Sequence, residues 1–511
     1  MASAERRLLG LWWPTALGAS MLVLEIPIVY AAAARSTGGP QVLAAMGICV
    51  AILVVVNSPG LAITPLAVTA YSRHSWQRLR RQALLTGLAA ALVLVALATL
   101  PPLVALVRLA FDPDAVLLGH IRAGLLGLAP NALGVALRRY LHGRLIVTVR
   151  TRPIASATAL RILGTLALAW AGTALWPQHG ALVAGLALSA GAFTEAACLA
   201  VIARALPGEP PPGPSPYIEL IRRHADVSAA RLLVMAPMLV TTIAVAHSAR
   251  SAASLVVWPA LYELAMLFAS PTSDWESVAA GALRKQPRGS AARRVTVRLA
   301  VAFTCVLVLV LATGPAHVYL RGLLAVPAEL ASFALTWSWL LVPVPALWLV
   351  RGYLRGAVMA AVATGWLTVA SLAHGVALLA CAAALAATTM PGLAVAGAAV
   401  VAGLLIDVAM TGYGAFRSST PGRAVLPSAV APDPVCRPCP LRLDARAIAS
   451  TSSSLRIWRI AHGSEWSRAA VHGRYSAWSS SVITAIVLVP RSCVTSCWKS
   501  TGPTWTGTRR S

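Results

Sequence analysis

The chain has 511 residues, of which 58% are hydrophobic and only 11% charged, and its mean hydropathy is +0.75. A soluble domain carries about a quarter charged residues, so a water-solvated globule is excluded and lipid must solvate much of the surface. The net charge of +26 does not point to nucleic acid, because the basic residues sit between apolar runs and in the C-terminal tail.

A helix crossing a bilayer needs about 20 apolar residues. Twelve stretches meet this: 11–34, 41–71, 83–108, 115–141, 154–176, 180–203, 229–248, 252–283, 295–314, 323–350, 357–388 and 393–415. Arg6 and Arg7 precede the first, but the run continues to Ala34 without a small-residue cleavage site. It therefore reads as a membrane helix and not as a signal peptide. The expected fold is all-α: a polytopic membrane protein of about twelve helices in two parallel six-helix repeats, with a disordered tail. Kinks are expected at Pro59, Pro65, Pro130, Pro271, Pro343 and Pro345. Cys49, Cys198, Cys305 and Cys381 fall in the spans, as small packing residues.

Basic residues mark cytoplasmic connections. Even-numbered connections carry Arg73, Arg78, Arg80 and Arg81; then Arg138, Arg139, Arg144, Arg150 and Arg152; then Arg204, Arg222 and Arg223; then Arg284 to Arg298; then Arg351 and Arg355. Odd-numbered connections carry few. Both ends of the helical body are therefore expected in the cytoplasm, with the protein in the plasma membrane and anionic lipid against its cytoplasmic face.

The expected division is an N-terminal lobe at 8–205, a proline-rich linker at 206–228 containing PGEPPPGPSP, a C-terminal lobe at 229–416 and a tail at 417–511. The tail lacks helical periodicity and caps, which predicts disorder. Its Cys436-Arg-Pro-Cys439 and Cys493-Val-Thr-Ser-Cys497 pairs have no folded context, so no metal site is assigned.

The two lobes repeat one another. Pro130 to Gly143 ends in Arg138-Arg-Tyr140-Leu-His-Gly143, and Pro343 to Gly356 ends in Arg351-Gly-Tyr353-Leu-Arg-Gly356, every matched residue 213 apart. Ser58-Pro59 recurs as Ser270-Pro271, Gly191 as Gly403 and Glu195 as Asp407, each 212 apart. An even number of helices per repeat makes the repeats parallel, related by an axis along the membrane normal.

Ionisable groups inside spans are costly and usually face a cavity or a partner. Glu25 lies within the first span just before Pro27, where a proline loosens the backbone. It is a candidate for proton or cation coupling, or a structural carboxylate. Glu263, mid-way along the eighth span, and Arg161, inside the fifth, are further substrate or coupling candidates. Arg138 and Arg351 form a symmetric basic pair expected where their helices reach the cytoplasmic face. They could flank a central cavity and hold an anionic head group, or simply anchor to anionic lipid. Asp274, with Glu276, could serve a gate or an ion pair; Glu195 and Asp407 match one another and suit a repeated structural role. Pro27, Pro59, Pro130, Pro271 and Pro343 are gate or structural candidates. No Walker A, Gly-x-Ser-x-Gly or His-Glu-x-x-His sequence occurs. The expectation is accordingly no enzyme, no cofactor, no metal and no nucleic-acid partner.

The loop after the second span reads SRHSWQRLRR and lacks the Gly and Asp of the major facilitators. The paired Arg-x-Tyr-Leu-x-Gly helices with their prolines, and the Ser-Pro breaks in spans two and eight, resemble the multidrug/oligosaccharidyl-lipid/polysaccharide (MOP) exporter superfamily. That superfamily includes the multidrug and toxin extrusion (MATE) proteins, the polysaccharide flippases and the lipid II flippases. Ser270-Pro-Thr-Ser-Asp-Trp275, and Pro343-Val-Pro345 followed by Arg351, resemble segments of the progressive ankylosis protein family, an exporter group for small anions. The resemblance implies rocker-switch transport with substrate in a cleft between the lobes. MATE transporters couple to cations through an acid of the first helix. Theirs is an aspartate, whereas Glu25 is a glutamate. The function expected is a secondary exporter or flippase moving an amphipathic or anionic substrate outward (a lipid-linked saccharide, drug or small organic anion), with proton or sodium coupling. The alternative is a non-transporting membrane scaffold or degenerate pseudo-transporter.

Overall fold

Twelve helical units follow the hydropathy pattern in order. They are α1 (Ala2–Ala34), α2 (Gly39–Val56, continued by Ser58–Ala70), α3 (Trp76–Thr99), α4 (Ala115–Val147), α5 (Arg152–Leu175), α6 (Gly180–Ala203), α7 (Tyr217–Ala246), α8 (Ser251–Ala269, continued by Trp275–Lys285), α9 (Ser290–Ala312), α10 (Ala328–Ala360), α11 (Gly365–Ala386) and α12 (Gly392–Ser419). A short helix, Pro101–Phe111, follows α3. The computed structural model describes residues 2–71, 73–148, 152–206, 215–272, 275–285, 290–361, 363 and 365–419. The expected disordered tail beyond Ser419, residues 207–214 of the proline-rich linker, and Asp274 lie outside these residues, and α7 takes up the expected linker from Tyr217 onward. Among the described residues no strand forms; an isolated bridge joins Ala249 to Pro391.

Eleven of the units are long and apolar enough to cross a membrane, and α1 adds the shorter apolar helix Ala19–Ala34. The chain is an integral membrane protein. Its outer helices show why: Leu88 and Leu92 on α3, Leu163 and Trp170 on α5, and Val376 and Leu379 on α11 are all exposed. Only hydrocarbon solvates such a surface.

Two boundaries differ from the hydropathy reading. α4 runs to Val147 and α10 to Ala360, so Arg138, Arg144, Arg351 and Arg355 lie within helices and not in connections. The six residues from His142 to Val147 add about 9 Å of helix beyond the expected end of the fourth span. A hydropathy count stops at or near the first arginine. The helices continue because Arg138, Arg351 and Arg355 find carboxylates inside the bundle and Arg144 lies over the Trp76 ring.

The prolines divide by context. α2 breaks at Asn57 before Pro59, α8 breaks at the 3-10 turn Ser270–Thr272 that contains Pro271, and α10 breaks at the 3-10 turn Trp339–Leu341 just before Pro343. α4 is continuous through Pro130, and Pro27 lies buried within the unbroken α1. A proline leaves one carbonyl without its helical partner and crowds the preceding turn. Neighbouring helices hold α4 and α1 in register regardless.

Lipid tails are as apolar as leucine, so helices associate here through close packing more than through apolar transfer. Small residues set the closest approaches. A Cβ on Gly127 of α4 would stand 2.4 Å from the Leu182 carbonyl oxygen of α6, and one on Gly185 of α6 would stand 2.8 Å from the Gly124 carbonyl oxygen. α2 is buried along most of its length and crosses α8 so closely that a Cβ on Gly47 would overlap the Pro259 ring. Gly127→Val should therefore destabilise the protein by about 1–3 kcal/mol through overpacking. Gly119→Ala, where nothing lies within 4 Å, should be neutral or better. Thermal unfolding of the two purified variants checks this: the first should lower the apparent midpoint by several degrees and the second should not.

Candidate functional site

Helical spacing builds the first polar site. Arg138 and His142 stand four residues apart on α4, and Thr158, Arg161 and Thr165 stand three and four apart on α5. Such residues share a helix face. Both faces turn inward onto Glu195 of α6 and Glu25 of α1.

Glu195 is fully buried and receives four side chains. Arg138 Nη1 lies 3.0 Å from Oε2, Arg161 Nη1 3.3 Å from Oε2, His142 Nε2 2.9 Å from Oε1, and Thr158 Oγ1 3.3 Å from Oε1. Glu25, 2% exposed, accepts from Arg161 Nε at 2.8 Å and Thr165 Oγ1 at 2.7 Å, and its second oxygen meets Arg161 Nη2. Arg161 thus bridges both carboxylates. Two carboxylates face two guanidiniums with His142 beside them, a balance that a buried cluster needs because an uncompensated charge there is very costly.

The second six helices repeat this plan with altered chemistry. Arg351 and Arg355 stand four apart on α10, Ser371 and His374 three apart on α11, and Asp407 and Thr411 four apart on α12. Arg351 Nε donates to Asp407 Oδ2 at 2.6 Å, Thr411 Oγ1 donates to Oδ1 at 3.0 Å, and Arg355 Nη1 lies 3.6 Å from Oδ1. Arg355 also reaches Glu276 Oε2 at 3.1 Å and Ser371 Oγ at 3.3 Å. A cavity of about 60 Å³ lies beside Arg351, Ser371 and His374, walled by apolar side chains of α7, α8, α10, α11 and α12.

Arg138 and Arg351 therefore sit within their own six-helix sets, each against the acid 57 or 56 residues later. They do not flank one central cavity at a membrane face. The physical reason is that each helix runs on beyond its arginine and buries it where only a carboxylate can compensate it. Glu25, Arg161, Arg138 and Glu195 come together in one cluster; Arg351 and Asp407 form the other. Glu263 joins neither. It is 7% exposed, and its carboxylate makes no hydrogen bond or ion pair among the described residues. The buried Tyr30 hydroxyl likewise has no partner there.

Sequence reading missed His142, Thr158, Thr165, Arg355, Ser371, His374 and Thr411. The signal was available. The 213-residue offset that relates Arg138 to Arg351 also relates His142 to Arg355, Thr158 to Ser371 and Arg161 to His374. It also missed a polar link in which Asn57 donates to Asn131 at 3.2 Å, and Asn131 donates to the Leu188 carbonyl at 2.9 Å.

No family model and no curated protein matches the sequence. Solved structures do match the fold. An inward-facing multidrug resistance MATE family transporter of the MOP superfamily aligns with a TM-score of 0.59 at 12% identity, over 78% of this chain and 94% of that one. An outward-facing MATE family transporter aligns at 0.55 with 16% identity, over 81% and 96%. The eukaryotic MATE transporter AtDTX14 aligns at 0.54 with 14% identity, over 81% and 98%. The chain has the fold of the MATE transporters of the MOP superfamily.

The Glu195 cluster makes a stability prediction. Glu195→Ala strands Arg138 in the interior and should cost about 3–5 kcal/mol. The double variant Arg138→Met/Glu195→Met, which removes both charges, should recover much of that loss. SDS-induced unfolding in mixed micelles, run on both variants, provides the check.

Proposed function

We propose that this protein is a secondary exporter that works by alternating access between two six-helix lobes, α1–α6 and α7–α12. The observation that carries this reading is where the polar contacts fall. The buried ion networks close within each lobe. The ion pairs between lobes fall at the helix ends, and the other polar links between lobes include single hydrogen bonds at the breaks, such as Trp12 Nε1 donating to the Pro271 carbonyl at 3.0 Å.

At the end that holds the α1 N-terminus, Glu5 pairs with Arg294 at 2.7 Å and Arg298 at 2.5 Å on α9. Hydrogen bonding from Arg294, with the nearby Arg298 charge, holds the Glu5 carboxyl below its usual range, so it stays charged at neutral pH. The α7 N-terminus reaches the other way. Tyr217, 212 residues after Glu5, donates to Gln82 at 2.6 Å, Gln82 meets His224 at 2.9 Å, and His224 meets the Pro59 carbonyl at 2.9 Å. Arg73 pairs with Glu219 at 3.3 Å. At the opposite end Arg35 donates to the Gly322 carbonyl at 2.6 Å, and His247 lies 3.1 Å from the Ala110 carbonyl. The exposed ion pairs among these cost little to exchange for water, and the buried Gln82–His224 contact is a single hydrogen bond worth about 0.5–1.5 kcal/mol. Breaking a charge network inside a lobe costs far more. Two rigid bodies that open at one end and then the other require that order of costs.

The position of Arg161 supports proton or sodium coupling at Glu25. A proton or sodium ion taken by Glu25 weakens its hold on Arg161, which keeps Glu195 as a partner. Loading the coupling site therefore shifts a guanidinium between α1 and α6 without stranding it. The substrate class proposed is amphipathic or anionic and moved outward across the plasma membrane. Both ends of the helical body are then cytoplasmic, with anionic lipid against their arginines.

Transport into sealed vesicles under an imposed pH or sodium gradient tests this, with panels of lipophilic cations, organic anions and lipid-linked sugars. Gradient-driven movement of one class should appear and should be lost in Glu25→Gln. Movement indifferent to Glu25→Gln would remove Glu25 from coupling. No movement by folded protein across the panel would favour the scaffold.

A further inference from the structure

The two lobes share their ion-pair plan but differ at one place. Ala34 ends α1 and Ala246 ends α7, 212 residues apart, and Gly39 and Ser251 open α2 and α8 at the same spacing. At that spacing Pro237 takes the position of Glu25, and Gly403 that of Gly191. At 213, His374 takes the position of Arg161 and Leu378 that of Thr165. The second lobe therefore has no carboxylate where the first has Glu25.

The cavity occupies that place. Pro237, His374 and Leu378 all line it, with Arg351 and Ser371. In the first lobe the equivalent space is filled: a Cβ on Gly191 would stand 3.0 Å from Glu25 Oε1 and 2.0 Å from Thr165 Oγ1. In the second lobe the matching Gly403 faces His374 and Leu378, its Cβ position 3.1 Å from His374 Cε1 and 3.2 Å from Leu378 Cβ. The donors left there are underused. His374 Nδ1 is buried without a partner among the described residues. Arg351 hydrogen-bonds Asp407 through Nε, while its guanidinium carbon lies 4.9 Å from the centre of the Trp348 ring. No Asp or Glu lines the cavity.

We propose that this cavity binds the carboxylate head of an amphipathic anion, held by Arg351 and His374 in the place that the first lobe fills with Glu25. A cavity of about 60 Å³ exceeds the ~10–15 Å³ that one water needs, and it suits a head group more than a whole drug. The tail has an exit. Leu233 and Val234 of α7 line the same cavity and are 45% and 47% exposed, so an alkyl chain leaving past them meets an apolar surface. Guanidinium suits a carboxylate because its fork matches two oxygens. The local charges balance, Arg351 and Arg355 against Asp407 and Glu276, so the guest's negative charge is compensated by a proton taken up with it at His374, which lines the cavity. This inference names a substrate subsite for the exporter reading and rests on it for its physiological role, though not for the binding itself.

The test is binding of tritiated decanoate to the full chain in lipid nanodiscs by scintillation proximity, with empty nanodiscs subtracted. Unlabelled decanoate should displace the label, whereas decanol and decyltrimethylammonium, with the same tail, should not. Pro237→Glu, which supplies the missing acid from within, and His374→Phe, which keeps the bulk and removes the donor, should each weaken binding at least tenfold. Either variant that elutes as a single species by size exclusion suffices. Displacement by the ammonium as readily as by decanoate, binding unchanged in both variants, or no binding above empty nanodiscs would each overturn the proposal. Binding by a chain that moves nothing in vesicles would end the exporter reading and leave the site. Transport without decanoate binding would do the reverse.

Discussion

The structure depends on the cost of a charge in hydrocarbon. Every ionised group inside a span must find its counter-charge within hydrogen-bond reach, or the helix bearing it cannot stay in the membrane. Glu195 meets this demand for α4, α5 and α6 at once, and Arg161 extends it to α1. Four helices of the first lobe are thereby fixed to one another at one buried point. Asp407 does the same for α10 and α12, and Arg355 carries the link on to Glu276 and Ser371. Close packing through Gly124, Gly127 and Gly185 sets the depth of contact between α4 and α6. The ion pairs set which faces meet.

This division of labour explains how two copies of one plan can differ in use. Some packing positions repeat, Gly143, Gly185 and Gly191 recurring as Gly356, Gly397 and Gly403, whereas Gly124 and Gly127 are matched by Trp337 and Leu340. Charged positions can change in concert. Where the first lobe holds Glu25, Arg161 and Thr165, the second has Pro237, His374 and Leu378. An acid and its strongest partner are replaced together, which avoids leaving either one uncompensated. The result is a filled interior on one side and a cavity with spare donors on the other. Under the proposed exporter reading, such a difference gives a coupling ion and a substrate separate places.

Much of the fold was legible in the chain. The twelve spans and the 212–213 residue repeat follow from hydropathy and spacing, the MOP-like layout is implied by the resemblance of the Arg-x-Tyr-Leu-x-Gly and Ser-Pro motifs, and the backbone breaks before Pro59, at Pro271 and before Pro343 follow from proline chemistry. Less of the site was legible. Arg138 and Arg351 read as membrane-face anchors because arginine in a one-dimensional count looks like the end of a span. That count cannot see Glu195 or Asp407, more than fifty residues away, waiting at the same depth. The repeat itself did contain the missing members: extending the same offset to His142, Thr158 and Arg161 would have marked Arg355, Ser371 and His374.

By itself the sequence determined the medium, the number and order of helices, and the twofold plan, because these depend on composition and period, which are local or strictly repetitive. Tertiary structure alone decided which charges are partners, that Arg161 is shared between Glu25 and Glu195, that Glu263 stands apart, and that the second lobe holds a cavity where the first holds a carboxylate. Those outcomes depend on distances of about 3 Å between residues that the chain separates by up to 293 positions, and only the packing of helices brings such residues within reach.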